Sequence, residues 1–205
     1  MNKRFFFSLL ILLIVSACSD QEKSYSPDVE WLIEVLELNE NSVVADVGAG
    51  DGQQAFEIAH YIGPAGEVYA TELGEDTLER LRSNMQRREI ENITVIEGDP
   101  SGTNLPEACC ESIYMRRVYH HVAEPDSMNR SLFRSLKPGG RLAIMDFEPS
   151  GEEGAPGERD VGRSHGITTE TLIEELTAAG FEQFSDVEFS GRYYYLLFEK
   201  PEPGN

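Results

Sequence analysis

The chain has 205 residues, 17 of them Lys or Arg and 37 Asp or Glu, for a formal net charge of −20. That length buries one sizeable core but not two roomy ones, and 40% hydrophobic with 26% charged residues excludes a disordered, collagenous or polytopic chain. So acidic a surface repels phosphate backbones and argues against nucleic acid as a partner, while three cysteines cannot form a disulfide framework.

Lys3 and Arg4 precede an apolar run from Phe5 to Val15 and the small residues Ser16 and Ala17. A basic start, a short apolar stretch and small residues make a secretory signal over residues 1–17. The run falls short of the ~20 apolar residues that span a bilayer as a helix. Val15-Ser16-Ala17-Cys18 resembles a bacterial lipobox. That resemblance implies acylation of Cys18 and a membrane anchor on the periplasmic or cell-surface side, or a cytoplasmic protein if the signal does not function. Residues 18–28 are mostly polar and read as a tether, leaving 29–200 as one domain.

Within that domain Val29 to Leu36 has helical spacing, and Ser42 to Val47 reads as a buried strand ended by a Gly-rich turn. Gln53 to Tyr61 is helical and stops at Gly63-Pro64-Ala65-Gly66. Glu67 to Glu72 is a second strand, Asp76 to Arg88 a charged amphipathic helix, and Ile93 to Ile96 a third strand. Cys109 and Cys110, neighbours that rarely form an unstrained disulfide, read as separate small fillers or thiols. Ser112 to Met115 is a fourth strand, and Ser127 to Leu136 a helix closed by Lys137-Pro138-Gly139-Gly140. Arg141 to Phe147 is a fifth strand. A Gly/Glu-rich loop follows from Pro149 to His165, and Thr168 caps a helix over Thr171 to Ala179. Gln183 to Phe189 and Tyr193 to Glu199 form a closing hairpin through Ser190-Gly191-Arg192. Alternating strands and helices predict an α/β fold with helices on both faces of a mostly parallel sheet. The hairpin makes seven strands, one of them antiparallel.

Ligands of such sheets bind at the carboxyl ends of the strands. After the first strand stands Asp46-Val47-Gly48-Ala49-Gly50-Asp51-Gly52. Its glycines let backbone approach a ligand, and the next helix offers free N–H groups. Gln53 stands where a dinucleotide fingerprint needs Gly or Ala, so a pyrophosphate grip and a nicotinamide enzyme are disfavoured. No His/Cys cluster has zinc spacing, and no metal site is expected.

Several motifs now stand in order: Asp-x-Gly-x-Gly-x-Gly, Glu72 ending strand two, Asp99 after strand three, Tyr119-His120-His121-Val122, and Leu136-Lys137-Pro138-Gly139-Gly140 before strand five. Together they resemble the class I S-adenosylmethionine-dependent methyltransferases over about residues 29–199. The resemblance implies their Rossmann-like fold and S-adenosylmethionine as cofactor. Gly48, Gly50 and Gly52 would border its methionine and ribose, and Asp46 would steady the loop and the amino group. Glu72 would accept from both ribose hydroxyls and Asp99 from the adenine amino group.

The region after strand four would face the transferred methyl. There His120 or His121 reads as a general base or as a loop-positioning pair. Arg116 reads as an acidic-substrate ligand or as a side chain crowding the site, and His165 as an acceptor-pocket or surface residue. No Asn-Pro-Pro-Tyr-type sequence follows strand four, which weakens amino-directed methylation of nucleobases; the expected acceptor is a small molecule. Export would carry the domain away from its cofactor's compartment, so the other reading is an exported, non-catalytic binding or structural lipoprotein.

Overall fold

Val43 to Val47 (β1) is apolar but for Asp46, as befits a strand with both faces covered, and it occupies the middle of the sheet. A computed structural model of the protein describes residues 24–150, 159 and 166–204. The expected signal, Cys18, most of the Pro149–His165 loop and His165 itself lie outside them. β1 pairs in parallel with β2 (Glu67–Glu72) and with β4 (Cys110–Arg116). β3 (Ile93–Glu97) continues the parallel sheet beyond β2, and β5 (Leu136–Phe147) beyond β4. β8 (Tyr193–Glu199) then enters antiparallel against β5, with Leu142 opposite Phe198. β6 (Glu182–Gln183) and β7 (Glu188–Ser190) both pair antiparallel with β8, giving the order β3-β2-β1-β4-β5-β8-β6 with β7 also on β8. β8 is the one strand that runs against the rest, as expected.

Successive β1 side chains point to opposite faces. Val44 joins a core built with α1 (Pro27–Val35), α2 (Gln53–Ile62) and Leu81 of α3 (Glu75–Arg88). Ala45 and Val47 join a second core with Leu132 of α4 (Pro125–Ser135) and Leu172 and Leu176 of α5 (Thr169–Ala178).

Three stretches fall in a different element from the one expected, beyond shifts of one or two residues at element ends elsewhere. α1 begins at Pro27, inside the expected tether, because proline suits a first helical position whose N–H has no partner anyway. The strand expected over 183–189 is two pieces, since Ser185-Asp186 turns on its own hydrogen bonds: Gln183 donates to the Ser185 carbonyl and the Ser185 hydroxyl to that of Asp186. Leu136 and the Lys137-Pro138-Gly139-Gly140 run open β5 instead of closing α4, with a register shift against β4 between Cys110 and Ser112. Just there Cys109 and Cys110 are joined as a disulfide, not as the separate thiols expected.

Candidate functional site

Backbone chemistry shapes the turn after β1. The N–H groups of Gly48 and Ala49 both donate to the Thr71 carbonyl at the end of β2, at 2.9 Å each. From α3, the Asn84 side chain donates to the Asp51 carbonyl at 2.8 Å. Gly48 has φ +81°, and a Cβ there would stand 2.4 Å from Val118 Cγ2. At Gly52, with φ +90°, a Cβ would meet the Phe56 ring at 2.4 Å and Leu81 at 2.5 Å. Gly48 therefore lets the chain after β4 close over the turn, and Gly52 lets α2 and α3 pack against it.

Beside this turn lies a cavity of about 140 Å³, lined among others by Gly48, Glu72, Asp99, Val118, His121 and Met128. Glu72 holds the turn: one oxygen accepts from Gly50 N–H at 2.6 Å and the other from Leu73 N–H at 2.7 Å. Each carboxylate oxygen has a second acceptor direction, so both stay able to receive a ligand hydroxyl. Asp99 Oδ1 accepts from the Ser101 N–H at 2.9 Å and hydroxyl at 2.5 Å. Those bonds hold its carboxyl below the usual range, and the other oxygen is left to face a ligand. Two expected carboxylates thus share a cleft with Gly48 and His121. Gly50 and Gly52 shape the turn and are not part of the cavity wall.

Asp46 is buried behind the turn. Burial pushes its carboxyl up from 3.8 to about 7; the Tyr114 hydroxyl opposes this, Glu72 reinforces it, and Arg116 opposes it. The Tyr114 hydroxyl is itself buried without a well-formed hydrogen-bond partner. Arg116 points to this side and not into the cleft. Its Nε donates to Asp28 Oδ2 at 2.5 Å, and Asp28 Oδ1 accepts from the Tyr195 hydroxyl at 3.0 Å.

On the far side of the cleft a 3-10 turn over Tyr119–His121 carries both candidate bases. His120 is buried, with Nδ1 2.8 Å from Asp146 Oδ1 and its backbone N–H 3.2 Å from Asp146 Oδ2. The Phe147 N–H also donates to Asp146 Oδ1, at 3.0 Å. An ionised carboxylate only accepts, so Nδ1 carries the proton and Nε2 is the basic nitrogen. The His121 ring lies 4.0 Å from that of His120. Next to them the Tyr119 hydroxyl donates to Glu175 at 3.0 Å and accepts from Asn129 at 2.7 Å. Arg159 grips both Glu175 oxygens at 2.7 and 3.0 Å, so a buried network fixes this turn. Sequence reasoning missed Asp146; its place at the carboxyl end of β5 was the available signal.

Residues 38–197 match the methyltransferase domain family. The chain belongs to that family. Protein-L-isoaspartate O-methyltransferase of Methanothermobacter thermautotrophicus is 34% identical over 116 residues, 57% of this chain and 51% of that protein. The methyltransferase therefore spans about half the length of such relatives. Demethylmenaquinone methyltransferase of Listeria welshimeri is 23% identical over 174 residues, covering 83% of this chain and 72% of that one. A SAM-dependent methyltransferase from Aquifex aeolicus superposes with a TM-score of 0.72 at 24% identity, covering 84% and 89% of the two chains, which shows the shared fold. The chain has the Rossmann-like fold its motifs implied.

Proposed function

We propose that this methyltransferase transfers the methyl group of S-adenosylmethionine to a small-molecule acceptor. One observation carries the reading: Glu72 and Asp99, from the ends of different strands, face one cleft with Gly48 and His121. The residues present fit the cofactor. Glu72 keeps acceptor capacity on both oxygens for two vicinal hydroxyls, and Asp99 offers an acceptor for an amino group, while Gly48 lets Val118 close the cleft wall onto the turn. Behind the turn the buried Asp46 carboxyl, beside the Tyr114 hydroxyl, supplies negative potential that favours the cationic amino end. When bound, S-adenosylmethionine supplies an electrophilic methyl on a cationic sulfur with a neutral thioether as leaving group. The protein's part is to position the acceptor, keep water away and receive a proton. His121 in the cleft wall and the buried His120 behind it, tied to Asp146, are our candidates to receive it.

Equilibrium binding of S-adenosylhomocysteine to the purified protein tests this. Micromolar binding that Glu72→Ala removes is the expected result; no binding at millimolar ligand overturns the reading. Export through the N-terminal signal with acylation at Cys18 belongs to the same proposal, supported by Lys3-Arg4, the Phe5–Val15 run and Cys18. Metabolic labelling with a clickable fatty acid should mark the protein and fail for Cys18→Ser; an unlabelled wild type removes the anchor from the proposal. The non-catalytic lipoprotein reading has no support in the comparisons.

A further inference from the structure

A second cluster stands beside the cleft, at the carboxyl ends of β4 and β5 and the start of β8. Arg117 follows β4 with φ +57°, a conformation unfavourable for a residue with a Cβ. Its N–H is pinned to the Met145 carbonyl at 2.7 Å. Its guanidinium lies over the Tyr193 ring, 4.7 Å from the centroid. Arg192 lies over the Phe147 ring at 4.4 Å and donates to the Glu148 carbonyl at 3.1 Å. The Phe147 and Tyr193 rings meet edge to face at 6.0 Å, and Phe147 stands 4.6 Å from the His120 ring.

Both guanidiniums are on exposed residues, and among the described residues neither forms an ion pair with a carboxylate, in a chain with 37 acidic side chains. Two neighbouring residues tie the cluster to the cleft. Val118, against Gly48, directly follows Arg117, and His121 of the cleft wall packs against His120.

We infer that this cluster is the acceptor subsite and that it takes a hydroxyl-bearing planar aromatic carboxylate. The chemistry of the step rests on the methyl-transfer reading; the binding does not. Guanidinium forks match a carboxylate in geometry and charge, and stacking on aromatic rings holds them in place beforehand. Tyr193, exposed and held by Arg117 and the Phe147 edge, gives an aryl ring a surface to pack on. The acceptor's hydroxyl oxygen forms the new C–O bond as the methyl–sulfur bond breaks, with that bond's electron pair staying on sulfur. The hydroxyl proton passes to the His120–His121 pair beside the cleft, where Asp146 offsets the added positive charge.

The test is saturation-transfer NMR titration of the full-length protein with S-adenosylhomocysteine present. The probes are 4-hydroxybenzoate and 4-hydroxycinnamate, their neutral amides, and cyclohexanecarboxylate. The two aryl acids should bind at least about fivefold more tightly than the amides or the alicyclic acid, and Arg117→Gln and Arg192→Gln should each remove about that factor. S-Adenosylhomocysteine affinity should be unchanged in both variants, which separates a lost subsite from a damaged fold. Equal binding of acids and amides, no binding of the aryl acids, or variants that bind like wild type overturns the inference. Aryl-acid discrimination in a protein that does not bind S-adenosylhomocysteine leaves the subsite standing and overturns the methyl-transfer reading instead.

Discussion

Gly48 shows how much one missing methyl group decides. A Cβ there meets two constraints at once, a left-handed backbone and Val118 at 2.4 Å. Gly48→Ala should weaken S-adenosylhomocysteine binding by about 100-fold or more while the far-ultraviolet circular dichroism stays native. Asp46 sets a pH dependence. Its carboxyl is raised from 3.8 to about 7 chiefly by burial, so the folded protein binds a proton more tightly than the unfolded chain. Its contribution to stability is therefore full below 3.8 and lost as pH rises through about 7. A ligand carrying a cationic amino group prefers the ionised carboxylate, so S-adenosylhomocysteine affinity should rise as pH passes through 7. Asp46→Asn should flatten that rise in an isothermal titration series. Asp146 acts through His120. With an acceptor that turns over, Asp146→Asn should lower kcat by about 10²–10⁴ with KM within about twofold; an effect on KM alone would make Asp146 a binding residue.

Elements are positioned by contacts that the sequence leaves far apart. The Tyr119–His121 turn is held from α4 by Asn129 and from α5 by Glu175, which Arg159 grips in turn. Glu175→Ala removes both Arg159 hydrogen bonds and the acceptor of the Tyr119 hydroxyl and should cost about 1–3 kcal/mol of stability, measured by urea unfolding. Glu175→Gln, which keeps the shape and one acceptor, should cost less. The start of α1 is tied in the same way, through Asp28 to Arg116 on β4 and Tyr195 on β8. In the sequence Arg116 has the look of a substrate ligand, because an arginine after strand four near a site is legible and its partner 88 positions away is not. At Asp99 the two scales meet, since its turn with Ser101 is local and its place in the cleft is tertiary.

Across the whole molecule the charge of −20 works against compactness. Raising ionic strength from about 10 mM to about 150 mM shortens the Debye length from roughly 30 Å to 8 Å. The melting temperature should rise by several degrees over that range in scanning calorimetry, and a fall would mean that attractive pairs outweigh the net repulsion. The same excess of acid gives the Arg117 and Arg192 pair its contrast with the rest of the surface.

Order along the chain was the part that the sequence determined. Buried strand runs, helix periodicity and the Gly- and Pro-rich stops are local signals, and each rests on residues within one or two turns of one another. They were enough for the alternation of elements, the single reversed strand, the glycine turn and the carboxylates at strand ends. Tertiary structure alone decided which groups meet. Asp146 stands 26 residues from His120, and Val118 seals Gly48 from another strand's end. Arg117 and Arg192 reach neighbouring rings only once β4, β5 and β8 lie side by side. Such pairings are set by how strands stack and helices cover them, so no window of sequence contains them.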